Sequence, residues 1–517
     1  MYTQNDINKQ ALEVMWRTDG YKLGHYAQFP DGTTKIYSNL TPRSVYGGAN
    51  EERPPVVVMY GLKKLLQRMV RDFDVFFNSD IAVVRKLYED RMERFSGTRP
   101  NTEHLQRLYD IGYLPLEIKA IPEGALGLVG QPLLTITNTD PSAYWLVNYL
   151  ETWISSDMWQ AITSATTAWN VRRLMDSWCI ATGGDPAGNW YLAHDFSYRG
   201  LPGMEAAVAS GSAHLLSFYG SDSLSSWDLI EATYPDTDGV IQVGVPASEH
   251  SVMTVGAVQR EDGTMDEREQ LQRLLDIYPT GIVSVVSDSY DYWGMVSEVL
   301  PEFRNQIMER DGKWVVRPDS GDPVKIVTGD PDAPEGTPER KGTLNILWDT
   351  FGGTVNEAGY RELDSHIGII YGDSMTWSTI NRMCERMEAT GYATTNIVFG
   401  LGSFGYQYVT RDTYGFAVKA TWAEVDGKPK PVFKDPKTGN GNKKSARGML
   451  KLVDDGSERK LIEDITVAEE AAEPGEGDLL KLMFRNGELV GFDENFQIIR
   501  ERLLEETKMA EERGWLN

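Results

Sequence analysis

Two cysteines, Cys179 and Cys384, are all that the 517 residues contain. That is too few for a disulfide framework or a thiolate zinc site, and it suits a reducing compartment. Long apolar runs are missing as well. None approaches the ~20 residues of a membrane span, and the opening MYTQNDINKQ has no basic stretch leading into an apolar one. The chain therefore reads as cytoplasmic, with no membrane partner. Basic residues are in deficit: 51 Lys and Arg stand against 76 Asp and Glu, a formal charge of −25. Such a surface repels a phosphate backbone, so nucleic acid is not the expected partner, and any anion site must be a local basic pocket. Fixed-period repeats and low-complexity tracts are absent, which removes solenoid and disordered readings. So are HExxH, GxSxG, GxxxxGK[ST] and a GxGxxG after a strand, the signatures of zinc proteases, α/β-hydrolases, P-loop enzymes and dinucleotide binders.

What is present describes a folded protein, 41% hydrophobic and 25% charged. At roughly 150 residues per domain the length suits two to four units, although one barrel absorbs about 250. The first 180 residues mix helical periodicity, as in YGLKKLLQRMVRDF, with a β-like stretch, LEIKAIPEGALGLVGQPLLTITN. From about residue 188, short apolar runs end in acids or glycine and are followed by helical patterns. Their ends read WYLAHDF, LLSFYGSD, VGVPASEH, IVSVVSDSYD, WVVRPDSGDP, IGIIYGDS and NIVFGLGS, mostly one βα unit (about 30 residues) apart. Seven in a row predict a closed or nearly closed α/β barrel. LLSFYGSD is the weakest strand, because PGMEAAVASGSAHLLSF also scans as a helix. After residue 405, YQYVTRDTYGFAVKATWAEVDGKPKPVF reads as strands, NG at 486–487 as a hairpin turn, and FDENFQIIRERLLEETKMAEERGWL as an amphipathic packing helix. The expected fold class is α/β: an irregular, TIM-like barrel with a second α+β domain rich in antiparallel strands. Its parts are an N-terminal α+β region (1–185), the barrel core (186–405), and a C-terminal β-rich region with a terminal helix (406–517) that packs on the first.

The segment VGVPASEHSVM (243–253) places Glu249 and His250, one of six histidines, just after an apolar run. If the run is a strand, both stand at its carboxyl end, where barrels build their chemistry. The competing reading is a helix start, with Pro246 followed by Ser248 as cap and His250 on the surface. Acids after consecutive runs would converge on one face, which favours the site. GLGSFG (400–405) follows the last run, where backbone N–H groups cradle phosphate in many barrels, although a plain turn fits equally well. Lys434, Lys437, Lys443, Lys444 and Arg447 form the main basic cluster, read either as a solvated loop or as phosphate ligands. Carboxylates, a glycine cradle and a few cations together suit a phosphorylated sugar carrying a Mg²⁺-bound pyrophosphate.

DGYKLGHY (19–26), HDFSYRG (194–200), GSD (220–222), PASEHS (246–251), VVSDSYD (285–291), RPDSG (317–321), GD (372–373), TRD (410–412) and VFKDP (432–436) occur in the order found in the nicotinamide phosphoribosyltransferase family, which the chain resembles from about residue 15 to 450. The resemblance implies a type II phosphoribosyltransferase, a pentosyltransferase and head-to-tail homodimer. Such an enzyme makes nicotinamide mononucleotide and pyrophosphate from nicotinamide and phosphoribosyl pyrophosphate, with Mg²⁺ as cofactor and ATP as co-substrate. Phe196 and the partner subunit's Tyr21 would stack on the nicotinamide ring, Asp222 would accept from the carboxamide NH₂, and Arg317 would orient that group. Asp319 and Asp373 would address ribose and ring, and Gly372, Gly402, Ser403 and Lys443 the ribose phosphate. Arg199 and Arg411, with Arg43 and Lys419 from the partner, would take pyrophosphate and nucleotide. Ser284 and Lys434 complete the implied substrate set, and no metal-ligand set is assigned. Two positions depart from the animal enzymes: Gly244 stands where they carry Ser, and Ser403-Phe404 where they carry Gly-Gly.

The pyridine nitrogen of nicotinamide carries a free lone pair at neutral pH, so no general base is needed to deprotonate it. The resemblance gives His250 another role, phosphorylation by ATP, with Asp288 holding the ring and Glu249 tuning its surroundings. The alternatives are a nicotinate phosphoribosyltransferase, against which Asp222 would repel the carboxylate substrate, and a non-catalytic sensor of nicotinamide or its nucleotide. A barrel glycosidase would leave the phosphate-binding set unexplained.

Overall fold

The computed structural model describes residues 3–516 apart from 47–52, 236, 238, 373–374, 434–445, 473 and 476. A six-stranded parallel sheet runs in the order Thr280–Val286, Asp311–Arg317, Ile367–Tyr371, Ile397–Leu401, Ala193–Asp195, Gly220–Ser221. The segment 243–247 closes it into a ring, bridging Gly220 through Val243 on one side and Ser284 through Ala247 on the other. The closure is made by the Val243 amide on the Tyr219 carbonyl (2.8 Å), the Ser221 amide on the Val243 carbonyl (3.1 Å), and a reciprocal pair between residues 246–248 and Ser284 (both 2.9 Å). All seven apolar runs are thus barrel staves, and the weakest is short because the turn that ends helix Met204–His214 takes up Leu215–Phe218, whose amides at 216–218 bond back to the Ala213 and His214 carbonyls, leaving only Gly220–Ser221 as strand.

Strand periodicity explains the core. Val283, Val285, Trp314, Val316 and Ile369 share one apolar cluster with Leu271, Leu274, Leu347, Ile380 and Met383 of the surrounding helices, as outward-facing alternate residues of a barrel must. Outside the barrel, a seven-stranded sheet joins both ends of the chain. Thr33–Thr41 pairs antiparallel with Ala417–Val425 and Leu134–Asn138, and Leu116–Ala120 with Lys481–Arg485. Helix Glu151–Ala181 reaches all three large clusters through Trp153, Ala165 and Val171, so sheet and barrel pack as one body.

Two local expectations need correction. Most of the stretch 406–416 is not strand: helix Ser403–Tyr406 is followed by a turn at Arg411–Thr413, where the Thr410 hydroxyl accepts from the Asp412 amide. A side-chain cap there competes with ladder pairing. Second, Ser248 does not cap the helix His250–Gly256. Its hydroxyl accepts from the Val286 amide (3.0 Å), and Glu249 is the cap residue. The Asn486-Gly487 turn has both residues at positive φ, 52° and 86°, between Lys481–Arg485 and Glu488–Leu489, as its hairpin requires.

The terminal helix Phe496–Glu512 shares an apolar cluster with Val56, Val58 and Leu126 through Phe496, Ile499 and Leu503, and it also holds the closing stave. Arg500, fully buried, donates to the carbonyls of Leu215, Val240 and Ile241. A second buried group anchors the turn that carries Tyr21. His104 stacks on Tyr26 at 4.4 Å and meets Trp145 edge-on at 4.7 Å. Burial, with Arg85 and Arg107 nearby, pushes its imidazole down to about 3. A folded pKa below the unfolded value near 6.5 means that the unfolded chain binds the extra proton. Stability from this residue is therefore complete above pH 6.5 and falls by about 1.4 kcal/mol per pH unit below it, down to about pH 3. His104→Phe should flatten that part of the urea-midpoint profile between pH 6 and 4; an unchanged slope would mean that His104 does not titrate on unfolding.

Candidate active site

The carboxyl ends of the staves meet at one mouth. Phe196 leaves Ala193–Asp195 with its amide on the Leu401 carbonyl (2.8 Å). A Cβ on Gly400 would lie 2.9 Å from the Phe196 ring and 2.6 Å from Gly372, and one on Gly372 would lie 3.0 Å from Asp319 Oδ1. Glycine at these ends lets Phe196, Gly372 and Asp319 close on each other. Gly200 rests against Ser403 in the same way, which seats the exposed Arg199 loop beside Gly402 and Ser403.

His250 opens the helix His250–Gly256 directly after the closing stave, so a strand end and a helix start coincide here, with Glu249 rather than Ser248 at the cap. It is half exposed, with Nε2 3.8 Å from both Asp288 Oδ1 and Asp319 Oδ2, and Nδ1 3.4 Å from Ser289 Oγ. The two carboxylate distances are ion-pair rather than hydrogen-bond lengths, and the Ser289 contact is a long hydrogen bond; catalytic contacts often tighten when substrate binds. Asp288 is itself held, its Oδ2 accepting from the Asp319 amide (2.9 Å) and the Ser320 hydroxyl (2.6 Å). Glu249 is exposed and accepts from Ser251.

Three polar atoms at or beneath this mouth, Asp288 Oδ1, Arg317 Nε and Ser284 Oγ, are buried without a hydrogen-bond partner among the described residues. Such groups are costly unless a ligand or water satisfies them. Burial pushes the Arg317 guanidinium down, and Asp319, Asp222 and Asp288 act against that shift. One cation among three carboxylates can orient a polar, uncharged group without attracting a further anion strongly.

Two residues here escaped the sequence reading. His194 opens the motif HDFSYRG with no role assigned to it, yet its Nε2 lies 2.9 Å from Asp222 Oδ1; its alternation with Ala193 and Asp195 on a stave is the signal the sequence offers. Glu267 is 5% exposed, has Oε1 without a partner among the described residues, and is pushed up to about 7 by burial and then by Asp288 and Asp266. In sequence it resembles any acidic helix start.

The other expected residues lie on the antiparallel sheet or its turns. Tyr21, 65% exposed, has its ring against His25 (5.4 Å) and under Lys22. Arg43 donates to the Gly415 carbonyl at 2.8 Å, and Lys419 pairs with Asn39 across strands. Arg411 is exposed beside Asp412 (3.0 Å). Among the described residues these contacts bring none of the four against Phe196 or Asp222. Asp373, Lys434 and Lys443 lie outside the described residues.

With the site in view, comparison with known proteins decides the family. A family model described as "Nicotinate phosphoribosyltransferase (NAPRTase) family" matches residues 191–488, and one for "Nicotinamide phosphoribosyltransferase, N-terminal domain" matches 13–118. A protein of Acinetobacter baylyi named nicotinamide phosphoribosyltransferase is 42% identical over 445 residues, 84% of this chain and 87% of that protein. The chain belongs to the nicotinamide phosphoribosyltransferase family. Its similarly named relative from Xanthomonas campestris is 33% identical over 96% of this chain and 97% of its own. Two solved structures share the fold. Nicotinate-nucleotide pyrophosphorylase from Pyrococcus furiosus has a TM-score of 0.56 at 16% identity, covering 99% of this chain and 98% of that one. Human nicotinic acid phosphoribosyltransferase has 0.54 at 16%, covering 95% and 94%.

Gly244 lies beside the pocket, where an added Cβ would stand 3.6 Å from Asp222 Oδ1, an ordinary contact. Gly244→Ser should fold normally and place a hydroxyl where it can hold Oδ1. The expected result is a KM for nicotinamide lowered by a factor of about 2–5, the scale of one net hydrogen bond. A marked fall in melting temperature, or a raised KM, would contradict this geometry.

Proposed function

We propose that the chain transfers phosphoribose from phosphoribosyl pyrophosphate to nicotinamide, releasing pyrophosphate, and that ATP stimulates the reaction through phosphorylation of His250. The single observation that carries this reading is the mouth itself: a carboxylate already committed to a histidine donor (Asp222), an arginine nitrogen with no partner among the described residues (Arg317) and an aromatic face (Phe196) beside a histidine flanked by two acids. Asp222 favours an amide over a carboxylate, because a second anion there meets like charge and an NH₂ meets an acceptor. That separates this reading from nicotinate as the substrate, which the broader family model names.

The ring nitrogen's lone pair forms the bond to ribose C1′ as the C1′–oxygen bond breaks, and that electron pair departs with pyrophosphate. The product nitrogen carries the positive charge and no proton moves. The chain's residues therefore supply placement and charge: Phe196 fixes the ring plane, Asp319 lies where positive charge develops on the sugar, and Arg199 and Arg411 suit the leaving group. Mg²⁺, when bound, would neutralise charge on the departing pyrophosphate. Among the described residues no group of three or more His, Cys, Asp or Glu could hold a metal ion. A Mg²⁺ held largely by phosphate and water needs one or two carboxylates, and Asp319 fits that part. His250 would attack the γ-phosphorus of ATP, expelling ADP, and the phosphohistidine would later return phosphate to water.

Tyr21, Arg43 and Lys419 fit a site shared between two copies in a twofold dimer, each sheet facing its partner's barrel. Among the described residues no helix is long and apolar enough to cross a membrane.

The test measures product formation and ATP hydrolysis separately in His250→Ala. ATP hydrolysis should fall on the order of 100-fold or more, while slow ATP-independent synthesis persists. Undiminished ATP hydrolysis would reject the phosphohistidine, and wild-type protein that makes no nicotinamide mononucleotide would reject the activity.

A further inference from the structure

We propose that His194 is a specificity-determining positioning residue: it fixes the Asp222 carboxylate and the Phe196 ring relative to each other, so that one planar carboxamide-bearing ring meets both. The inference rests on the reading of this mouth as the nicotinamide site and adds a residue to it.

The seat of His194 is built from three sides. The stave Ala193–Asp195 is pinned by Asp195, whose carboxylate accepts from the Ser197 amide (2.8 Å) and from the hydroxyls of Ser223 (2.6 Å) and Ser221 (3.4 Å). With Asp195 held on one face of so short a strand, His194 must project from the other. The neighbouring stave leaves room for the ring: a Cβ on Gly220 would come within 2.8 Å of His194 Nδ1. The third side is Phe196, with its ring centroid 4.6 Å from the imidazole and tilted by 34°. The histidine side chain is accordingly 12% exposed.

Asp222 lacks such confinement. Its backbone is fixed, the amide donating to the Asp195 carbonyl at 3.0 Å, but its side chain is 53% exposed and lies beside Gly244, which offers no side chain. The 2.9 Å contact from His194 Nε2 to Oδ1 is its one side-chain hydrogen bond among the described residues. An ionised carboxylate only accepts, so Nε2 carries the proton. With Oδ1 engaged, Oδ2 is left as the acceptor for an incoming NH₂, and the carboxylate plane is set by a group that also touches the stacking ring. A freely rotating carboxylate would lose that alignment on each encounter, and ordering it would cost part of the binding energy.

The experiment compares His194→Gln, which keeps a donor, with His194→Phe, which keeps a ring and loses the donor. Nicotinamide and nicotinate binding are measured by calorimetry, alongside kcat, KM and melting temperature. His194→Phe should weaken nicotinamide binding on the order of 10-fold, and His194→Gln by less than about 3-fold. The loss should appear in KM, with kcat nearly unchanged, and the preference over nicotinate should narrow in step. In an Asp222→Ala background, His194→Phe should add nothing further. Equal losses in the two single variants, or the same loss with Asp222 already removed, would overturn the proposal and leave His194 as a filler of the barrel. Wild-type protein that binds no nicotinamide would instead overturn the functional reading beneath it.

Discussion

The site depends on how the segment 243–247 closes the barrel. It is a stave with almost no ladder: single bridges from Val243 to Gly220 and from Ala247 to Ser284 stand where its neighbours have runs of paired residues. Yet this segment delivers Glu249 and His250 to the mouth and brings Gly244 against Asp222. A weak stave needs support from outside, and Arg500 of the terminal helix supplies it by binding the Val240 and Ile241 carbonyls just upstream. A helix about 250 residues away in sequence thus helps to place the histidine. Deleting that helix would leave the Leu215, Val240 and Ile241 carbonyls without their arginine donor, two of them buried, as well as removing apolar contacts.

The arrangement of charge follows from the same closure. A strongly acidic protein gathers Asp222, Asp288 and Asp319 around one half-buried arginine, and it tolerates them because each carboxylate has a local partner: His194, the Asp319 amide with Ser320, and the facing His250. Glu267 lies behind this group with Oε1 unpartnered among the described residues, and it is pushed up to about 7 first by its own burial and then by Asp288 and Asp266.

Much of the barrel was legible, because each stave is an apolar run of strand length that ends in an acid or glycine and is followed by a helical period. The ends of those runs name Phe196, Asp222, His250, Asp288, Asp319 and Gly402 in order. Pairings between distant segments were not legible. Nothing local in Thr33–Thr41 announces Ala417–Val425 as its neighbour, and nothing in AHD announces that His194 will meet an aspartate 28 residues on. The helix cap at Glu249 and the turn at Arg411–Thr413 were misread for another reason: short polar side chains offer the backbone several competing partners, and the tertiary setting chooses among them.

The account holds above all that Asp222, aligned at the barrel mouth, reads a carboxamide. The most direct measurement is the ratio of kcat/KM for nicotinamide to that for nicotinate in wild type and in Asp222→Asn. The account predicts that the ratio falls on the order of 10-fold or more, because the substitution removes the repulsion of a carboxylate and one acceptor for the amide. A ratio that stays constant while both reactions slow together would contradict it.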